Sequence, residues 1–553
     1  MNKDVNFIKL YEQSFRKNFD FPALTDYGSE IIFAYKDVAR EIEKLHILFD
    51  ACHIKKGDKI AVIGKNSSRW CIAHLATISY GAVIVPILHD FNPNDITHII
   101  NHSESLFLFC ADLTWETLDE DQLPDLKGVL SLTDYHLIYQ SNNENLDNLL
   151  GHIDELFAEK YPGGFAPENI QYADVSNDEV VVLNYTSGTT GFSKGVMITG
   201  NNLCGNIKFA HDSFHLKPGD RMLSFLPLAH TFGAAFDFLY ALTEGVFTTL
   251  LGKTPAPKIL LKAFDEVKPA IIISVPLILE KIYKKMIIPL LEKHPISWAL
   301  NIPLLDTQIY AQIRKKLINA MGGKFKQVII GGAPLNKEVE DFLLKIKFPV
   351  SIGYGMTECA PLISFSLYPD FVLHSCGKIL DCMEVRIDSK DPYNMAGEIQ
   401  VRGQNVMVGY YKNEVASKSV FTDDGWLRTG DLGTIDENNN IFIRGRSKSM
   451  ILGANGQNIY PEEIEAKLNN LPFVMESLVI EKKHNLIALV YPDYDAIDDA
   501  GISPDNLAKI MEENKIELNK MVASYEKLSD IQLYPNEFEK TPKKSIKRYL
   551  YNL

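Results

Sequence analysis

The chain has 553 residues, of which 46% are apolar and 23% charged. That is ordinary globular usage, enough to bury a sizeable core without metal or disulfide staples; it excludes a disordered, collagen-like, small disulfide-rich or coiled-coil protein. The formal net charge of −15 argues against non-specific nucleic-acid binding, which demands a net basic face. It does not argue against anionic small molecules, because screening over about 8 Å lets a local basic pocket outweigh the global charge.

The opening MNKDVNFIKLYEQSF lacks the apolar run of a signal peptide. Residues 222–252 are apolar but interrupted by His230, Asp237 and Glu244, and 270–279 are too short to cross a bilayer. A soluble cytoplasmic protein is expected. The seven cysteines are scattered without a CxxC pair, which predicts free thiols in a reducing compartment.

Residues 36–50 read as an amphipathic helix with Val38, Ile42, Leu45 and Phe49 on one face. KKGD (55–58) is a turn and KIAVIG (59–64) a buried strand, followed by a helix over 69–80 and the strand GAVIVPI (81–87). Strands alternating with helices predict an α/β fold with largely parallel sheets. The polar stretch 140–178 reads as a surface excursion before the strand VVVLNYT (180–186). Further strands are expected within 221–228, 270–276, 326–332 and 348–355. Past residue 395, segments rich in Gly, Asn and Asp predict β-hairpins, and from about 449 helix and strand are mixed. The main boundary falls near 446–450, giving domains 1–446 and 447–553.

Four segments carry chemistry. YTSGTTGFSKG (185–195) follows a strand and packs three glycines among its hydroxyls. Such a loop suits exposed N–H groups and hydroxyls gripping phosphate oxygens, with Lys194 adding a cation. It is not a Walker A loop, and a generic Ser/Thr/Gly turn is the plain alternative. GYGMTE (353–358) ends another apolar strand, where ligands of open α/β sheets sit. There Glu358 suits a hard cation, Thr357 a phosphate and Tyr354 the face of a purine. A solvated glutamate and a core tyrosine fit equally well. In GWLRTGDLG (425–433) an aspartate between glycines suits two ribose hydroxyls, or simply a turn. RGRSKSMILGANGQNIYPEEIE (444–465) holds Arg446 and Lys448 in a turn, then a Gly-rich loop, then a helix opened by Pro461.

In this order, over about 280 residues and with LPLAHTFG (226–233), VPLILEKIY (275–283) and GGAPL (331–335) between them, these segments resemble the adenylate-forming (AMP-binding) superfamily. The likeness spans essentially the whole chain and is greatest to bacterial long-chain fatty acyl-CoA synthetases. It implies a large N-terminal domain of β-sheets flanked by helices with a β-rich subdomain, then a small mobile α+β C-terminal domain. It also implies two half-reactions: a carboxylate attacks the α-phosphate of ATP, then a thiol takes the acyl group and AMP departs. ATP and Mg²⁺ are the implied cofactors and coenzyme A the co-substrate.

Carried over by motif, Thr186, Ser187, Gly188, Thr189, Thr190, Gly191 and Lys194 cradle the β- and γ-phosphates. Tyr354 and Gly355, with Gly332, Ala333 and Pro334, enclose adenine. Asp431 binds the ribose with Arg446 in support, Thr357 meets the α-phosphate and Glu358 binds Mg²⁺. Lys448 takes the hinge position, and loop 453–457 helps form the pantetheine tunnel. One departure matters. The family ends in T-P-x-G-K-[IL], whereas KTPKKSIKR (540–548) puts Ser545 at the lysine position. If the segment is extended, Ser545 and Lys547 share a face while Lys544 points away, so Lys547, or Lys544 after a slip, supplies the charge.

The acyl pocket is expected along 230–240 and after Glu358, where Phe232, Ala234, Ala235, Phe236, Ala360, Pro361, Leu362 and Ile363 are apolar. Asp237 is the exception, read either as a partner for a charged substrate group or as simply facing solvent. His230 is read as a gate at the tunnel mouth or a structural histidine. A long-chain fatty acid is therefore the expected substrate, ligated to CoA. Alternatives are an acyl-AMP ligase serving a carrier protein, or a nucleotide-binding protein that has lost catalysis. A fatty-acid substrate makes peripheral membrane contact natural, although no amphipathic helix with a basic face is legible.

Overall fold

The computed structural model describes residues 6–141, 144–186, 193–292, 302, 305–452, 458–482, 485–541 and 546–551. They fall into two compact units. One holds the chain up to Glu384 with Val401–Leu427; the other holds Val385–Gln400 and Arg428–Leu553. The boundary expected at 446–447 lies inside the second unit.

The first unit is built on an eight-stranded sheet in the order Gly409–Tyr410, Lys194–Thr199, Val180–Thr186, Val83–Ile87, Lys59–Ile63, Ser105–Cys110, Gly128–Ser131 and Leu137–Gln140. The five strands from Val180–Thr186 to Gly128–Ser131 pair in parallel, and the outer ones antiparallel. The helix Tyr35–Ala51 buries Val38, Ile42, Leu45 and Phe49 as its spacing predicts. It begins early because Asp37 accepts the Ala34 N–H at 2.9 Å. The helix Ser68–Tyr80 is buried almost all round, starts at the Ser67 side-chain cap and stops at Gly81, whose φ of 92° is left-handed.

Two smaller parallel sheets follow. One aligns Arg221–Ser224, Phe247–Leu250 and Pro22–Asp26, with Ile32–Ala34 antiparallel at its edge. The other aligns Ile272–Ser274, Val328–Ile330 and Val350–Ile352.

Local pattern misleads in two places. The strand expected over 221–228 ends at Ser224, because Asn66 Nδ2 donates to Leu226 O (2.7 Å) while its Oδ1 accepts from Leu228 N–H (3.0 Å). The polar excursion 140–178 contains the helices Leu146–Gly151 and Ile153–Lys160. The first is started by Gln140 Oε1, which accepts from the N–H groups of Leu146 (2.8 Å) and Asp147 (3.3 Å). That cap lies outside the usual N-cap position, so the sequence gives no signal of it.

The second unit contains the antiparallel pair Leu427–Ile435 and Ile441–Arg446. It also has a three-stranded sheet of Val474–Lys482, Asn485–Pro492 and Asp530–Leu533. The helices Pro461–Leu468 and Pro504–Met521 contribute Ile464, Leu468, Leu507, Met511 and Leu518 to a core shared with Val479, Ala488 and Val490. A separate cluster of Leu478, Ile480, Ile487, Phe538 and Tyr551 anchors the tail to the sheet. None of the seven cysteines forms a disulfide, and five are buried. Among the described residues no helix is long and apolar enough to cross a membrane.

Candidate active site

The strand Val180–Thr186 turns back into Lys194–Thr199, with Thr186 facing Lys194 in the antiparallel register. The described flanks of the Ser/Thr/Gly segment are therefore antiparallel strands, whereas a Walker A loop opens a helix. Ser187, Gly188, Thr189, Thr190 and Gly191 lie outside the described residues. Gly409–Tyr410 joins the same edge, setting Tyr410 opposite Val196. Because side chains two apart share a face, Lys194 and Tyr410 are diagonal neighbours. The Lys194 ammonium sits 5.1 Å from the Tyr410 ring centroid.

Tyr410 also meets the other motif. Its hydroxyl donates to Glu358 Oε1 at 2.9 Å, and Met407 N–H donates to the Glu358 carbonyl at 2.8 Å. Burial and the adjacent Glu358 carboxylate push the Tyr410 phenol far up, so it remains a donor. Thr357 is buried in the short 3₁₀ turn Thr357–Cys359. The segment before Tyr410 is held by buried asparagines. Asn202 Nδ2 donates to the carbonyls of Gln404 (2.8 Å) and Val406 (2.9 Å), and Asn405 Nδ2 donates to Leu362 O (2.7 Å). Asn206 Oδ1 accepts from Leu362 N–H at 3.0 Å.

The strands Val328–Ile330 and Val350–Ile352 are parallel neighbours, so Gly332–Ala333–Pro334 and Tyr354–Gly355 emerge from adjacent carboxyl ends. That is where a parallel sheet opens its ligand crevice. Gly332, Ala333 and Pro334 are exposed and Gly332 has φ 84°, whereas Tyr354 is buried. The ring of Phe232 lies against Gly331, where an added Cβ would come within 2.9 Å of it. The expected acyl wall thus touches the GGAPL turn. Its aromatics continue as Phe232 and Phe236, in an edge-to-face pair at 5.9 Å.

His230 caps this stretch, its Nδ1 accepting from Phe232 N–H at 3.3 Å. Asn184 Nδ2 donates to Ala229 O at 2.9 Å and ties the segment to the strand Val180–Thr186. Asp237 corrects an expectation: it is fully buried in the π-helical turn Ala234–Tyr240 and does not face solvent. Among the described residues neither carboxylate oxygen has a hydrogen-bond partner. Burial pushes its carboxyl well up, opposed by the Ser224 hydroxyl, which falls short of hydrogen-bond geometry.

In the second unit Asp431 and Arg446 are register partners and form an ion pair at 3.3 Å. Lys448 follows in the turn closed by Ser449 N–H and Met450 N–H on Arg446 O. Lys540 and Ile546 form an antiparallel bridge, and Lys547 N–H donates to Glu539 O at 2.8 Å. The described cations of the tail are paired: Lys540 with Glu476 and Glu537 at 2.5 Å each, Lys547 with Glu539 at 3.6 Å, and Arg548 with Glu465 and Glu462. Lys544, Ser545 and the loop 453–457 lie outside the described residues. Sequence reasoning missed Tyr410 and the asparagines, because their roles depend on pairings about 40 to 215 positions apart.

A family model described as AMP-binding enzyme matches residues 11–411. Long-chain-fatty-acid–CoA ligase FadD15 of Mycobacterium bovis is 27% identical over 563 aligned positions, which cover 93% of this chain and 89% of that protein. Among solved structures, ATP-bound MatB from Rhodopseudomonas palustris aligns at 22% identity with a TM-score of 0.76, over 99% of this chain and 98% of that one. O-succinylbenzoate coenzyme A synthetase (MenE) from Bacillus subtilis, in complex with ATP and magnesium ion, aligns at 21% identity with a TM-score of 0.71, over 98% of each chain. The chain belongs to the AMP-binding enzyme family. Its class is that of the AMP-forming acid–CoA ligases.

Proposed function

We propose that the protein ligates a fatty acid, long-chain by preference, to coenzyme A through an acyl-adenylate, releasing pyrophosphate and then AMP. The observation that carries this reading is the Lys194–Tyr410–Glu358 constellation, in which a cation at the base of the Ser/Thr/Gly hairpin and a carboxylate share one side chain. A carboxylate is a poor electrophile until one oxygen becomes a good leaving group, and adenylation supplies that. The protein's part is positioning and charge stabilisation.

In this reading Lys194 draws on the outer phosphates, Thr357 orients the α-phosphate, and Gly332–Pro334 with Tyr354 flank the base. Asp431, braced by Arg446, holds the ribose. Glu358 and the Thr357 hydroxyl are oxygen donors, the chemistry a hard cation prefers. Among the described residues no group of three or more His, Cys, Asp or Glu gathers, so Mg²⁺ would be shared between Glu358 and substrate oxygens and not caged by protein. When bound it would neutralise charge developing on the phosphates. Domain reorientation about Lys448 would then exchange the adenylating arrangement for one admitting the thiol. The acyl preference rests on the wall of Phe232, Ala235, Phe236 and Ala360 to Ile363, all buried and apolar.

The test is ATP–pyrophosphate exchange over carboxylic acids from acetate to oleate, with and without CoA. Exchange that grows with chain length, with AMP released only when CoA is present, is the expected result. Exchange without CoA-dependent AMP release would instead indicate transfer to a carrier protein. No exchange with any acid, despite ATP binding, would overturn the catalytic reading.

A further inference from the structure

We propose that Tyr410 is a positioning residue whose hydroxyl orients Glu358 and whose ring seats Lys194, so that one side chain couples the metal-binding carboxylate to the phosphate-binding hairpin. The proposal rests on the assignment of Glu358 made above.

Three independent contacts converge on this residue. The hydroxyl donates to Glu358 Oε1 at 2.9 Å, and the ring lies 5.1 Å from the Lys194 ammonium. The backbone pairs with Lys194–Thr199 through the Tyr410–Val196 register. Glu358 is gripped at both ends by the same segment, because Met407 N–H donates to its carbonyl at 2.8 Å. The segment is itself fixed by Asn202 on Gln404 and Val406. A carboxylate with one oxygen held by a neutral donor loses rotational freedom, which leaves its orientation set before a cation arrives. The ring performs a second task. A half-buried ammonium over an aromatic face is attracted to the ring quadrupole and keeps its charge directed along the hairpin.

The two halves of the side chain therefore make separable contributions. Tyr410→Phe removes the hydroxyl and keeps the ring; Tyr410→Leu removes both. The probe is α,β-methylene-ATP, whose Kd is measured on the full chain by calorimetry with EDTA and with Mn²⁺. The ratio of the two values reads the metal's contribution, independent of turnover. Tyr410→Phe is expected to shrink that ratio about ten- to a hundredfold, the weight of one hydrogen bond to a charged group, while leaving the EDTA value unchanged. Tyr410→Leu is expected to weaken the EDTA value as well, about three- to tenfold.

Glu358→Gln sets the reference, with a larger loss of the ratio, and Tyr410→Phe added to it should cost nothing more. An unchanged ratio in Tyr410→Phe beside a reduced one in Glu358→Gln overturns the proposal alone. An unchanged ratio in both overturns the metal assignment of Glu358 and the proposal with it. A Tyr410→Phe variant that loses EDTA and Mn²⁺ affinity equally has only a structural role at 410, and that too overturns the proposal.

Discussion

The guanidinium of Arg548 reaches the carboxylate of Glu465, whose other oxygen accepts the Val479 N–H at 2.6 Å. A residue three places beyond Ser545 is thus locked to the helix Pro461–Leu468 and to the sheet behind it. Burial pushes the Glu465 carboxyl up to about 7, while Arg548 pulls it down and Glu462 pushes it further up.

This pair gives the second unit a pH-dependent stability whose sign can be worked out. Between the usual 4.5 and about 7 the folded state binds more protons at Glu465 than the unfolded chain does. Its contribution is full below 4.5 and is lost as pH rises through 7, by up to about 1.4 kcal/mol per pH unit. Arg548→Met should cost about 3 kcal/mol at pH 8, because it strands a buried carboxylate, and less at pH 5, where the carboxyl takes up a proton. Urea melts at both pH values check this; equal losses at the two would refute it.

Asp237 has the same sign without a cationic partner. Its folded carboxyl is held well above the usual 3.8 by burial, so stability falls as pH rises past that value. Asp237→Asn should match the wild type near pH 4 and exceed it at pH 8 by about 1–3 kcal/mol. A variant less stable than wild type at pH 8 would contradict the orphaned carboxyl.

The paired cations of the tail shift the expectation for adenylation. Lys540, Lys547 and Arg548 each meet glutamates; we therefore propose Lys544 ahead of Lys547 as the cation that serves adenylation. Lys544→Ala should lower pyrophosphate exchange by about 10²-fold or more, and Lys547→Ala much less. The reverse order would return the role to Lys547.

Lys448 follows Ser447, whose N–H donates to Gly430 O at 2.9 Å, in the turn beyond the Asp431–Arg446 pair. If the second domain turns about this point, Lys448→Pro should keep pyrophosphate exchange and lose thioester formation by at least about tenfold. Single-turnover assays of each half-reaction separate the two. Equal loss of both would place the hinge elsewhere.

The short motifs were legible because their chemistry needs adjacency. In the proposed site, Thr186 to Lys194, Gly332 to Pro334 and Thr357–Glu358 each bring donors, a cation or a carboxylate close together in sequence. The helix Tyr35–Ala51 and the strands at 59, 83 and 180 were legible because burial on one face or both leaves a period in the sequence. Tertiary structure alone decided the rest. Asn66 ends a strand about 160 residues away, Gln140 starts a helix from outside its N-cap, and π-turn packing hides Asp237. Strand register sets Tyr410 beside Lys194, and chain reversal pairs Lys547 with Glu539. Each depends on a contact between distant segments, and such a contact leaves no periodicity for the local sequence to report.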